Sequence, residues 1–204
     1  MTLIQKIAIA ATAMLAACGA PEAPKPTAGG SVGGCSTRAY DNIGGPISMI
    51  DQTGKRVTEE DFKGRPTMVY FGFTYCPDVC PGTLVGLKNA YSRLPEGIAP
   101  PRTLLITIDP ERDTPEALAA YIDKNAFPND LVALTGTQEE VQAAADAFIV
   151  AYERIETPES LSDYTMDHTS LLYLMDEDWK LKTFFAEGDA NPEDIAACLA
   201  VHLK

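Results

Sequence analysis

The sequence predicts an α/β fold with a central mixed sheet flanked by helices, and three observations carry that prediction. Thr67 to Phe73 is a near-continuous apolar run, as found in a strand covered on both faces. Strand-like and helix-like segments then alternate through the middle of the chain, the pattern of parallel βαβ units. The last part breaks the alternation with two strand-like runs around an acidic turn, which reads as an antiparallel hairpin.

Each element has a local cause. Ile47 to Thr58 reads as a small hairpin around Gln52-Thr53-Gly54, ahead of the first long strand. A helix is expected from about Pro81 to Leu94, since Pro is tolerated in the first turn and Leu84, Leu87, Tyr91 and Leu94 recur at helical spacing. A strand at Thr103 to Ile108 leads to a helix at Pro115 to Asn125, with Thr114 as N-cap. Strand Leu131 to Leu134 leads to a helix opened by a capping box, Thr137 with Glu140, and carrying Val141, Ala144, Ala145, Phe148 and Ile149 on one face. Tyr152 to Asp167 reads as an irregular polar loop. Ser170 to Met175, the turn Asp176-Glu177-Asp178 and Leu181 to Phe185 make the hairpin, and Asn191 with Pro192 starts the last helix. This element order is that of a thioredoxin-like fold with an added N-terminal β-hairpin.

The 204 residues suit one domain of ordinary size after a targeting segment. A composition of 46% hydrophobic and 22% charged residues is that of a soluble globular protein, and the net charge of −13 would repel a phosphate backbone, so nucleic acid is set aside as a partner. Lys6 followed by the apolar stretch Ile7 to Ala17 reads as a secretory signal, residues 1–17, too short to span a bilayer as a mature helix. Leu15-Ala16-Ala17-Cys18 resembles a bacterial lipobox, which makes Cys18 the lipid anchor and turns the domain towards the periplasm. Residues 18–43 then form the anchor and a tether rich in Ala, Pro, Gly, Thr and Ser, and residues 44–204 form the domain.

The chemistry concentrates at Cys76-Pro77-Asp78-Val79-Cys80-Pro81, where a loop enters a helix. Two sulfurs four residues apart in such a turn can reach one point. A helix N-terminus favours anions, so thiolates form there more readily than at the ordinary thiol pKa of about 8.5. A purely structural disulfide would close a very short ring and staple little, which leaves a redox dithiol and a pair of metal ligands. Common thioredoxin-like oxidoreductases place two residues between their cysteines; this motif has three. His168 stands immediately before the Ser170 strand, where such reductases usually carry a cis-proline facing the cysteines. Two thiolates and an imidazole make a soft three-coordinate set that suits Cu(I), whereas Zn(II) generally asks for a fourth ligand.

These motifs resemble those of the Sco/SenC family of copper proteins that assist assembly of cytochrome c oxidase. The resemblance spans about Gly44 to Lys204 and rests on Gly44-Gly45-Pro46, Phe71-Gly72-Phe73-Thr74-Tyr75-Cys76-Pro77-Asp78-Val79-Cys80-Pro81, Asp109-Pro110-Glu111-Arg112-Asp113-Thr114-Pro115 and Asp167-His168-Thr169. It implies that Cys76, Cys80 and His168 bind one copper per chain as Cu(I) or Cu(II). It also implies an upstream copper donor and, as recipient, an oxidase subunit with an apo copper site. The chain departs from the usual pattern at Tyr75, where His or Phe is frequent, and at Thr169, where Ser is common. Some members of the family act as thiol–disulfide reductases on the oxidase's copper-site cysteines, so a periplasmic oxidoreductase is the alternative to a non-enzymatic metallochaperone, with a peroxidase a weaker rival.

The remaining residues have plainer readings. Asp78 is expected to cap the helix, and Asp109, Glu111, Arg112 and Asp113 to form an ion-paired loop that caps the next one or shapes the rim of the site. Cys35 and Cys198 are left once Cys18, Cys76 and Cys80 are assigned; they form a disulfide, or Cys198 is a buried free thiol and Cys35 pairs between molecules. His202 reads as an ordinary amphipathic-helix residue.

Overall fold

The structure is a computed structural model and describes residues 35, 40, 42–159, 162–186 and 191–204. The signal segment, Cys18 and most of the tether lie outside the described residues.

Burial on both faces decides the centre of the sheet. The apolar runs Thr67–Gly72 (β3), Arg102–Thr107 (β4) and Leu131–Thr135 (β5) pair in parallel, with Val69 opposite Leu104 and Leu104 opposite Val132. Antiparallel strands extend the sheet on both sides. Ser48–Asp51 (β1) joins β5 and carries Arg56–Thr58 (β2), while Leu171–Met175 (β8) joins β3 and carries Leu181–Ala186 (β9). The seven-stranded order is β2-β1-β5-β4-β3-β8-β9, the mixed sheet expected. Helices Val79–Tyr91 (α1), Pro115–Ile122 (α2), Gln138–Ala147 (α3) and Pro192–His202 (α4) cover it, with α4 against α1, α2 against β5 and α3 against β1. None of the described helices is long and apolar enough to cross a membrane.

Caps set most of the helix starts where the sequence puts them. Thr114 accepts from the Ala117 N–H, Asn191 accepts from the Asp194 N–H, and Thr137 with Glu140 closes a reciprocal capping box. Gly44 has φ +88°, and a Cβ there would lie 2.6 Å from Met175 Cε. Its N–H donates to Ala147 O, and Gly45 O accepts from Trp179 Nε1 at 2.8 Å, so the Gly-Gly-Pro motif fastens the N-terminal hairpin to the end of α3 and the β8–β9 turn.

Two expectations are corrected. Helix α1 begins at Val79, ahead of Pro81, and Asp78 at its N-cap position makes no side-chain cap bond. Tyr152 to Asp167 is not an irregular loop: Tyr152–Glu156 (β6) and Tyr164–His168 (β7) pair antiparallel as a separate two-stranded sheet, with Tyr152 opposite His168 and Glu153 opposite Asp167. Its polar alternation hid it, because β6 is exposed along most of its length and shows no apolar face.

Cys35 is joined to Cys198 of α4 by a disulfide across 163 residues of sequence, and the Tyr40 ring lies 5.6 Å from that of Phe184, so both residues are fastened onto the domain.

Leu105 is fully buried in the central strand β4. Leu105→Ala is expected to lower unfolding stability by about 2–5 kcal/mol, read as an earlier urea midpoint with an unchanged transition slope.

Candidate metal centre

The two cysteines are held by the ends of neighbouring parallel strands. Strand β3 stops at Gly72, and the turn after it is tied down by Asp113, which lies beyond the end of β4. The buried Asp113 carboxylate accepts from the Thr74 N–H at 3.1 Å, from Thr74 Oγ1 at 2.5 Å and from Thr107 Oγ1 at 2.6 Å. Burial pushes the pKa of Asp113 up, against the pull of these hydrogen bonds. The turn then folds back, with Cys76 N–H donating to Phe73 O, and enters α1.

At the mouth of that helix the two thiols meet. The Cys80 N–H donates to Cys76 Sγ at 3.2 Å. The Cys80 thiol also hydrogen-bonds to Cys76 Sγ; this contact, with the N–H groups of Cys80, Val79 and Asp78 and against the effect of burial, lowers the Cys76 pKa to about 6. The same thiol–thiol hydrogen bond, and burial, push the Cys80 pKa up, although the Tyr70 side chain also hydrogen-bonds to its sulfur. The fold thus favours the thiolate at Cys76 and the protonated thiol at Cys80. Gly72 makes room for this arrangement, since a Cβ there would stand 3.1 Å from Cys80 Sγ, 3.1 Å from the Tyr70 ring and 3.2 Å from Leu105 Cδ1.

His168 ends β7 beside the same aromatic residues. Its ring lies edge-on to Phe73 at 6.3 Å and to Tyr70 at 6.5 Å between centroids. Nδ1 lies 3.0 Å from Thr169 O, a contact that requires the proton on Nδ1 and leaves the Nε2 lone pair for a ligand. Thr169 in turn closes the strand pair: its N–H donates to Ala151 O and its Oγ1 accepts from the Ala151 N–H. Three donor atoms mutually within 4.8 Å are found among the described residues at Cys35, Cys198 and His202, not at Cys76, Cys80 and His168. His168 thus shares neighbours with the thiols but stands back from full ligand spacing.

The Asp109–Asp113 loop joins the thiol turn to the strand pair. The Arg112 guanidinium lies 4.5 Å from the ring of Tyr75, the residue before Cys76, and 3.6 Å from that of Tyr164 at the start of β7. It pairs with Asp109 and donates to Ser162 Oγ and to Tyr164 O. Tyr164 Oη donates to Asp109, and Arg154 of β6 stacks on the other side of the Tyr164 ring while pairing with Glu111. The loop is ion-paired, and it does more than cap or rim: Asp113 holds the thiol turn, and Arg112 links that turn to the strand pair that carries His168. The one signal for that in the sequence was their place after a parallel strand, where sites in such sheets gather.

A thioredoxin-like domain with two cysteines at a helix N-terminus, and an imidazole edge-on to the aromatic residues beside them, defines a class of soft-metal or dithiol proteins. The SCO1/SenC family model matches residues 36–204, and the chain belongs to that family. It is 40% identical to the human mitochondrial protein SCO1 homolog over 164 residues, 79% of this chain and 53% of that one. Among solved structures it is similar to copper-bound ScoI of Arabidopsis thaliana, with TM-score 0.72 and 35% identity, covering 78% of this chain and 96% of that one. It is similar also to copper-bound ScoI of Bradyrhizobium japonicum, with TM-score 0.68 and 37% identity, covering 79% and 99%. The chain spans about half the length of the first of its sequence relatives.

Two measurements test the geometry. Alkylation of the reduced protein by iodoacetamide is expected to fall first on Cys76, its rate climbing with the thiolate fraction through about pH 6 and levelling above it, while Cys80 stays protected. Asp113→Ala strands the Thr74 N–H and two hydroxyls, and is expected to lower stability by about 3 kcal/mol in urea unfolding.

Proposed function

We propose that this protein is a copper metallochaperone in which Cys76, Cys80 and His168 hold one copper ion, as Cu(I) or Cu(II), and pass it to an apo copper site of a cytochrome c oxidase subunit. The observation that carries the reading is the meeting of the two cysteines at the mouth of α1, where the Cys80 N–H donates to Cys76 Sγ at 3.2 Å, with the His168 ring edge-on to Phe73 and Tyr70 beside them. Copper is the cargo. The copper carried by the Arabidopsis and Bradyrhizobium proteins supports its identity.

Uptake needs little rearrangement at the sulfurs. The ion takes the lone pairs of both, and the proton that Cys80 shares with Cys76 leaves to solvent. His168 closes from the edge of the small sheet, and the strand pair β6–β7 moves with it as a unit about the Arg112 contacts. Release runs backwards through ligand exchange: His168 withdraws, the recipient's ligands enter, and Cys80 recovers its proton. A signal segment at 1–17, a lipid on Cys18 and the tether after it would hold the domain at the periplasmic side of a bacterial membrane, where an upstream donor supplies copper.

The thiol asymmetry favours one second reading, a thiol–disulfide reductase that keeps the oxidase's copper-site cysteines reduced. The half-buried, low-pKa Cys76 would attack the substrate disulfide, and the buried Cys80 would resolve the mixed disulfide.

Anaerobic Cu(I) titration of protein with Cys76 and Cys80 reduced and the Cys35–Cys198 bond intact, in competition with a chelator, separates the two. One tight equivalent, weakened more than about tenfold in His168→Ala, is expected. Binding that ignores His168 would make the reductase the better account.

A further inference from the structure

At the far end of β3 from the thiol pair lies a second group of soft donors. The sulfurs of Cys35 and Cys198 and a ring nitrogen of His202 all lie within 4.8 Å of one another. The two cysteines are buried, and His202 Nε2 is enclosed without a hydrogen-bond partner. An enclosed ring nitrogen with no partner is costly, and it rests beside sulfurs that become ligands when their bond is opened. Burial, and the nearby Lys182, hold the imidazole pKa below its ordinary value, which keeps its nitrogen lone pair free.

We propose that Cys35, Cys198 and His202 form a second copper(I) site that exists only while their disulfide is reduced. A dithiol reductant supplies the step: two electrons and two protons pass to the Cys35 and Cys198 sulfurs, the S–S bond opens, and the reductant closes to its own disulfide. Cu(I) then takes a lone pair from each sulfur and one from His202, and the two thiol protons leave to solvent. Two thiolates around one Cu(I) carry a net negative charge, which the Lys182 ammonium offsets. The donor set of two thiolates and an imidazole suits three-coordinate Cu(I), whereas Zn(II) would need a fourth ligand that the group does not supply.

Access and separation fit a distinct site. His202 lines an open cleft of about 600 Å³ with Arg65, Pro66, Lys182, Leu203 and Lys204, so the group lies beside a solvent-filled surface. Arg65 and Pro66 precede β3, while Cys76 follows its end. Six strand residues at about 3.3 Å each put the two groups roughly 20 Å apart. The metal would also keep residue 35 fastened to α4 when the covalent link is open.

The test uses the protein carrying Cys76→Ser and Cys80→Ser, which removes the thiols of the first site and so makes the outcome independent of the function proposed above. Anaerobic Cu(I) titration against a chelator is run with Cys35–Cys198 intact and after reduction, with far-ultraviolet circular dichroism recorded on both. The expected result is no tight equivalent when oxidised, one when reduced with the native spectrum kept, and a loss of affinity exceeding about tenfold on adding His202→Ala. Absence of a tight equivalent in the reduced protein, binding indifferent to His202→Ala, or loss of the native spectrum on reduction would each overturn the proposal, since the site requires the fold to persist while the bond is open.

Discussion

The carboxylate of Asp113 accepts hydrogen bonds from the turn that follows β3 and from the last residue of β4, and the geometry of the thiol pair rests on that join. A buried carboxylate with three donors is worth more than three exposed contacts, because each donor would otherwise face an apolar interior. With Thr74 held, Cys76 turns back onto the first residues of α1, and the N–H groups of Asp78, Val79 and Cys80 converge on its sulfur. The helix supplies partial positive charge there at no reorganisation cost, because the groups are fixed by the fold before any metal or substrate arrives.

That arrangement makes two adjacent cysteines chemically unequal. Cys76 is half-buried and ionised near neutral pH; Cys80 is buried against Gly72 and Tyr70 and keeps its proton. The inequality serves either way of using the pair, since a soft cation needs both sulfurs and a dithiol exchange needs one to attack and one to resolve. His168 is what tips the proposal towards copper. It sits on a second, small sheet rather than on the main one, tied back to the thiol turn by Arg112 between the Tyr75 and Tyr164 rings.

The disulfide between Cys35 and Cys198 gives the chain a fixed point on α4 upstream of the first strand. The same helix ends at His202, so covalent anchorage and the second group of soft donors occupy one corner of the molecule. The opposite end of β3 is left to the thiol turn.

What the sequence by itself determined is what periodicity and local chemistry encode: the parallel strands β3, β4 and β5 through their apolar runs, the helix starts through Thr114, Thr137 and Asn191, and the three candidates Cys76, Cys80 and His168 through a motif and a position before a strand. Tertiary structure decided the rest. The strands β6 and β7 carry exposed polar residues, so no apolar face announced them, and they exist because each supplies the other's backbone partners. Helix α1 starts ahead of Pro81 without a side-chain cap bond from Asp78, after a turn that Asp113 holds through Thr74, a contact between residues 39 apart. His202 read as an ordinary helix residue because its neighbour Cys35 is far away in sequence, and only folding brings the imidazole beside the sulfurs. Local pattern reports which face of an element is apolar; it carries no information on which distant residue will stand opposite, and the site is made of such oppositions.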